Sequence, residues 1–194
     1  MPVSGLRESK KAATRTSLSR AAAQLALSEG SEGVTVVTIA AAAGVSPRTF
    51  HNYFASREDA LIEFIHSQVK DLIAKLDELP DELSPSESIE KIVIDHLSTG
   101  ESALDSFGAL IRVCEIVEMY GHPPEMAKIE LLAAPLLDFF KKKMPGVPDF
   151  ELLVSIHMHA AAVATALRCI YDAPEPHDKE EAASLVRRAL AMLK

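Results

Sequence analysis

Apolar residues recur along this chain at helical spacing, three and four apart, almost from end to end. Period-two alternation of β-branched residues is confined to the short piece Val34 to Val37, so the pattern predicts an all-α fold. A first helix is expected from about Leu6 to Leu27, with Leu18, Ala21, Ala22 and Leu25 as its inward stripe and Ser28-Glu29-Gly30 as its end. Thr35 opens a second, short helix as its N-cap, and Gly44 closes it. Ser46 caps a third and Pro47 starts it; up to Phe54, Phe50 and Phe54 turn inward together while Arg48, Thr49, His51 and Asn52 turn outward. Ser56 with Asp59 makes an acidic capping box for a long fourth helix, Arg57 to Leu79, which Pro80 ends. Its residues Leu61, Ile65, Val69, Leu72, Leu76 and Leu79 predict one continuous buried seam.

Further helices are expected over Ser86 to Leu97, Leu104 to Met119, Pro124 to Met144, Asp149 to Tyr171 and His177 to Leu193, giving about nine in all. Proline-rich breaks at 121–124, 145–148 and 174–176 separate the last of them. The segments 104–119 and 152–170 are apolar nearly all round, which calls for cover on more than one side and makes a second copy of the chain an expected partner.

With 194 residues the chain accommodates one domain or a small head on a larger body. Charge favours the second arrangement. The total is −8, yet residues 1–57 carry seven basic groups against three acidic ones, so a head of +4 precedes a body of −12. We therefore divide the chain into 1–56 and 57–194. An apolar fraction of 48% excludes general disorder. The longest charge-free run near the C-terminus, Leu152 to Leu167, holds Ser155, His157, His159 and Thr165 and is not expected to cross a membrane. The polar, basic N-terminus has no secretory h-region, so a cytoplasmic location is expected. Cys114 and Cys169 both fall in apolar helical patterns and are expected to be buried, with no disulfide framework and no zinc site.

Two short helices joined by a Gly-containing turn have the plan of a helix-turn-helix. An α-helix fits the major groove of duplex DNA, where Arg pairs with guanine, Asn with adenine, and a Thr methyl touches the thymine methyl. Arg48, Asn52 and Thr49 are those types. Tyr53, Thr35 and Thr38 suit phosphate oxygens, and Lys10, Lys11 and Arg15 suit non-specific attraction to the backbone.

The stretch VTVVTIAAAAGVSPRTFHNYFASREDAL, residues 34–61, resembles the TetR family of one-component repressors. The likeness rests on the Val-Thr helix start, Ile39-Ala40, Ala43-Gly44-Val45-Ser46, Thr49-Phe50, Tyr53-Phe54 and Ser56-Arg57-Glu58-Asp59. It implies an N-terminal three-helix DNA-binding domain and a C-terminal helical bundle that binds a small molecule and dimerises. It places Arg48, Thr49, His51, Asn52 and Tyr53 at operator-contacting positions, and Thr35, Thr38 and Arg57 at phosphate-contacting ones; Ser46, at the capped start of the reading helix, is a further expected DNA contact. His51 and Asn52 depart from the commoner aromatic pair of that family, so the operator sequence does not follow from the likeness.

In the eighth helix His157, Ala161, Ala164 and Arg168 recur by four, three and four, a face with a small centre that suits a partner helix; a core face within one chain is the alternative. Arg112, Glu115 and Met119, joined by His159 and Thr165, are the expected lining of a mostly apolar effector pocket, with a surface Arg–Glu pair as the alternative. His157 and His159 lie on opposite sides of a helix and cannot chelate one metal. Lys141-Lys142-Lys143 suits a solvated helix end. No nucleophile is assembled and no phosphate loop occurs, so neither an enzyme nor a cofactor is expected. The expected function is a ligand-responsive repressor; a bundle enzyme and a basic protein-interaction head are its rivals.

Overall fold

The computed structural model describes residues 3–99, 106–120, 136–172 and 178–193, and every regular element among them is helical. In order these are α1 (Val3–Gly33), α2 (Val36–Ala42), α3 (Pro47–His51), α4 (Arg57–Asp77), α5 (Pro85–Thr99), α6 (Phe107–Met119), α7 (136–143), α8 (Asp149–Tyr171) and α9 (Lys179–Ala191). The helix starts expected at 104, 124 and 177, and the breaks at 121–124 and 174–176, lie outside the described residues. Two compact units emerge: Met1–Gln68 with Ala109–Pro123, and Val69–Gly108 with Pro124–Lys194. Division by packing thus falls inside α4 rather than at its start.

The first unit is built on alanine-rich contact. Along α1 the buried residues are Leu18, Ser19, Ala22, Ala23 and Ala26, whereas Ala21 and Leu25 are only half-buried, so the inward stripe is rotated by about one residue from the expected one. Helical turns persist to Gly33, but the geometry breaks at Gly30 (φ 71°, ψ −167°), within the expected breaker. Leu61 and Ile65 of α4 are buried here together with Phe64, and Leu76 is buried in the second unit; between them Val69 and Leu72 are half-buried. The expected seam is therefore interrupted in its middle.

Gly44 adopts φ +68° where α2 turns into α3, and no atom lies within 4 Å of where its Cβ would stand. The cost of a side chain there is conformational alone. Gly44→Ala should destabilise the first unit by about 1–2 kcal/mol, and Gly44→Asn by less, as read by urea melting followed by circular dichroism.

In the second unit Leu76, Ile92, Phe139, Phe140, Leu152 and Ile156 form the core, with Leu72, Ile89, Leu136 and Met144 packed against it. Helix α8 packs on α9, and α9 on α5. Asp178 caps α9 through the N–H groups of Glu180 (2.8 Å) and Glu181 (3.1 Å), and Ser84 with Glu87 makes a reciprocal cap ahead of α5. The lysine run at the end of α7 is not simply solvated. Lys141 pairs with Asp149 (3.0 Å), Lys142 with Asp81 (2.8 Å), and Lys143 donates to the Pro80 carbonyl (2.8 Å), tying the α4–α5 and α7–α8 connections together.

Helix α8 has the length and apolar composition that a bilayer span needs, but only in those two respects. Its Leu152, Ile156, Leu167 and Ile170 are buried in the second unit. The cysteines divide: Cys169 is exposed, contrary to expectation, while Cys114 on α6 is half-buried and its thiol is pushed up to about 12 by burial and then by the nearby Glu118 and Glu115 charges.

Candidate nucleic-acid interface

Helix α2 begins because Thr35, in extended geometry, accepts the Thr38 N–H (3.1 Å) while Thr38 Oγ1 accepts the Thr35 N–H (2.9 Å). Such reciprocal caps satisfy two otherwise unpaired donors, each contributing about 0.5–2 kcal/mol. Thr38 Oγ1 also donates to the Gly33 carbonyl (2.8 Å), and Thr38 is half-buried. Thr35 remains exposed.

Helix α3 is shorter than expected. Ser46 Oγ accepts the Thr49 N–H (3.1 Å) and lies 2.9 Å from Thr49 Oγ1; Pro47 occupies the first helical position; regular geometry stops at His51, with Asn52 as C-cap. Tyr53 and Phe54 follow in a turn closed by N–H bonds to the Phe50 carbonyl (2.9 and 3.0 Å). Phe50 and Phe54 both face inward as expected, their rings 5.7 Å apart. Arg48, His51 and Asn52 are exposed, and Thr49 and Tyr53 half-buried. The outward set is thus brought onto one short, doubly capped element. Lys10 and Lys11 are exposed on α1.

Two arginines expected to reach DNA have partners within the fold. Arg15 donates to the Tyr53 carbonyl (3.0 Å) and to Glu63 (2.5 Å), and its guanidinium stands 4.5 Å over the Phe54 ring. The pairing holds the Glu63 carboxyl below its ordinary range, chiefly through the Arg15 hydrogen bond, and raises Arg15 in return. Arg57 donates to the Val34 carbonyl (2.8 Å), pairs with Glu58 (3.0 Å) and lies 4.1 Å over Tyr120. Tyr120 itself donates to the Ser31 carbonyl (2.8 Å), and burial pushes its phenol up. Arg15 therefore fixes the end of the outward-facing segment, and Arg57 with Tyr120 fixes the kinked passage from α1 to α2. Nothing local in the sequence marks Glu63 or Tyr120, because their partners stand 48 and 89 residues away.

The expected pocket residues are not assembled into an interior. Arg112 is exposed, Met119 is 73% exposed, Thr165 is exposed and donates to the Ala161 carbonyl (2.8 Å), and Glu115 is half-buried. His159 is interior, but both ring nitrogens are engaged: Nδ1–H donates to the Ser155 carbonyl (2.7 Å), which leaves Nε2 to accept from Ser86 Oγ (2.8 Å). It is a core histidine, edge-on to Phe140 at 5.3 Å. On α8, His157, Ala161 and Arg168 are exposed and Ala164 is half-buried; Phe150, Val154 and Met158 are exposed on the same helix.

Residues 18–64 match the family described as bacterial regulatory proteins, tetR family. The HTH-type transcriptional regulator TcmR of Streptomyces glaucescens is 35% identical over 100 residues, a stretch covering 50% of this chain and 44% of that protein. The chain thus spans less than half the length of that curated relative. Two solved structures share the fold: the fatty acid degradation regulator FadR from Bacillus halodurans (TM-score 0.66, 19% identity, 93% of this chain and 94% of that one) and FadR from Bacillus subtilis in complex with stearoyl-CoA (TM-score 0.64, 19% identity, 91% and 96%). The capped helix pair that turns Arg48, His51 and Asn52 outward lies within the matched residues, so residues 18–64 are similar to the tetR family of bacterial regulatory proteins.

Proposed function

We propose that the chain is a dimeric, ligand-responsive, DNA-binding transcriptional regulator, a repressor released from a palindromic operator by a small apolar or amphipathic effector. The observation that carries this reading is α3 itself: in a chain of net charge −8, a helix capped at Ser46 and anchored by buried Phe50 turns Arg48, His51 and Asn52 to solvent. Arg48 has the fork for guanine, Asn52 the amide for adenine, and Thr49 a methyl for thymine. Thr35, Ser46 and Tyr53 suit phosphate oxygens, and Lys10 and Lys11 add salt-dependent attraction. Arg15 and Arg57 act by positioning.

The exposed residues of α8, from Phe150 through Val154, Met158 and Ala161, support self-association, since a second copy would cover them. A symmetric pair sets two α3 helices about 34–36 Å apart for successive major grooves, and an effector that alters that spacing weakens binding. Reversing a 99:1 equilibrium requires about 5.5 kcal/mol of differential affinity, shared between two sites. The stearoyl-CoA named with the Bacillus subtilis structure exemplifies the amphipathic class and is a first probe. Operator binding places the working molecule with the chromosome, in the cytoplasm.

The test is selection of duplexes from a random pool by the full chain, with gel retardation at low salt and sedimentation at micromolar concentration. A dimer retarding a palindromic site is expected; a monomer that retards no duplex would overturn the reading. Arg48→Ala should cost about 1–3 kcal/mol per half-site and relax preference at one base pair, as read by repeating the selection with the variant.

A further inference from the structure

We infer that Val37 is a base-reading residue, packing its isopropyl group against the C5-methyl of a thymine in each half-site. The inference rests on the DNA-binding reading above and adds a base contact from α2, whose Thr35 and Thr38 are otherwise assigned to the phosphate backbone.

Val37 is 65% exposed, in a helix, VVTIAAA, that contains no charged residue. Ala41, one turn on, is exposed as well, and the flanking Thr38 hydroxyl is turned inward to Gly33 and Thr35. The solvent face of α2 is therefore hydrocarbon. A single exposed valine is ordinary on a protein surface. This one stands on an element packed against α3 across a short turn: α2 is closed at its end by the Val45 N–H on the Ala40 carbonyl (2.9 Å) and the Gly44 N–H on the Ala41 carbonyl (3.1 Å), and caps at Thr35 and Ser46 fix both helix starts. Whatever surface α3 engages, α2 meets at a set offset.

The chemistry then selects the occupant. Phosphates call for cations or hydrogen-bond donors, and the edges of guanine, cytosine and adenine in the major groove present only donors and acceptors. Thymine alone adds a methyl group there. A side chain without a donor contributes to duplex recognition by covering that methyl, and a β-branched one does so with little rotamer freedom to lose.

The test uses the full chain and the duplex it selects, comparing wild type with Val37→Ala, a substitution at an exposed helical site where Ala is the better helix former. Each thymine of the half-site is replaced in turn by deoxyuridine, which removes the C5-methyl and nothing else. At one thymine the wild type should lose about fourfold in affinity per half-site, the value of one buried methyl group. Val37→Ala should bind thymine and uracil equally there and retain the preferences tied to Arg48 and Asn52; 5-methylcytosine in place of cytosine at that position should restore wild-type affinity in part. Indifference to uracil at every position overturns the inference and leaves the DNA-binding reading standing. So does the persistence in Val37→Ala of every uracil effect that the wild type shows, since a thymine read by the Thr49 methyl accounts only for those that remain, or a loss in Val37→Ala that is equal on all duplexes. Failure to select any duplex overturns both.

Discussion

Phe50→Ala should abolish duplex retardation and lower the stability of the first unit by about 3–5 kcal/mol, the usual cost of removing a fully enclosed aromatic ring from a core. Phe50 has no exposed surface, lies 5.7 Å from the Phe54 ring and takes the His51 ring edge-on at 5.5 Å. The reason the loss should extend to binding lies in the length of α3. Five residues supply barely one turn, and an isolated turn is unfavourable because it fixes many dihedral angles for a single hydrogen bond. The Ser46 cap and the burial of Phe50 and Phe54 supply what the helix cannot supply for itself. Urea melting by circular dichroism, with retardation measured on the same protein, checks both parts. Phe50→Leu, which keeps most of the apolar volume, should lose far less stability; equal loss in the two variants would contradict this account.

The parts of the fold that were legible from sequence are those in which partners are close along the chain. Thr35 with Thr38, Ser46 with Thr49, and Ser56 with Asp59 are each three apart, and all three caps form as the residue types require. The bounds of α8 also agree with its pattern, since Pro148 and the following run mark its start. The stripe on α1 was read one residue out of phase because alanines surround it; where small apolar residues stand on every side, composition no longer points to one face. Long-range pairings left no local trace. Arg15 looks like any cation on a basic helix, yet Tyr53, Phe54 and Glu63 are brought beside it, and the Arg57 guanidinium comes to lie over Tyr120. The expected pocket residues are ambiguous for another reason: a polar interruption on an apolar helix reads alike whether it faces an effector, a neighbouring side chain or water. Met119 and Thr165 face water, and His159 faces Ser86 and Ser155.

Arg15→Ala should destabilise the first unit by about 2–4 kcal/mol and weaken duplex binding without changing its salt dependence. Three interactions disappear together: a charged hydrogen bond to the Tyr53 carbonyl, the pair with Glu63, and the stacking over Phe54. The first contributes about 1.5–3 kcal/mol and the others up to about 1 each, with the ion pair discounted because Arg15 is 43% exposed and Glu63 32%. Since Arg15 acts on the segment after α3 and not on a phosphate, removing it releases no fewer counterions, and the slope of affinity against salt should stay at its wild-type value. Lys11→Ala, at an exposed cation, should flatten that slope while leaving stability unchanged. Acid supplies an independent reading of the same pair. Glu63 has a folded pKa below its unfolded one, so its contribution is full above the unfolded value, near pH 4.5, and is lost as pH falls through the lower folded value. Glu63→Gln should therefore be less stable than wild type at neutral pH, and the difference should shrink as pH falls from the unfolded value through the lower folded one, where the wild-type carboxyl takes up its proton. If Arg15→Ala instead flattened the salt slope as Lys11→Ala does, and Glu63→Gln left the acid limb of the stability curve untouched, Arg15 would be a phosphate ligand after all and the placement of α3 would have to depend on its caps and on Phe50 alone.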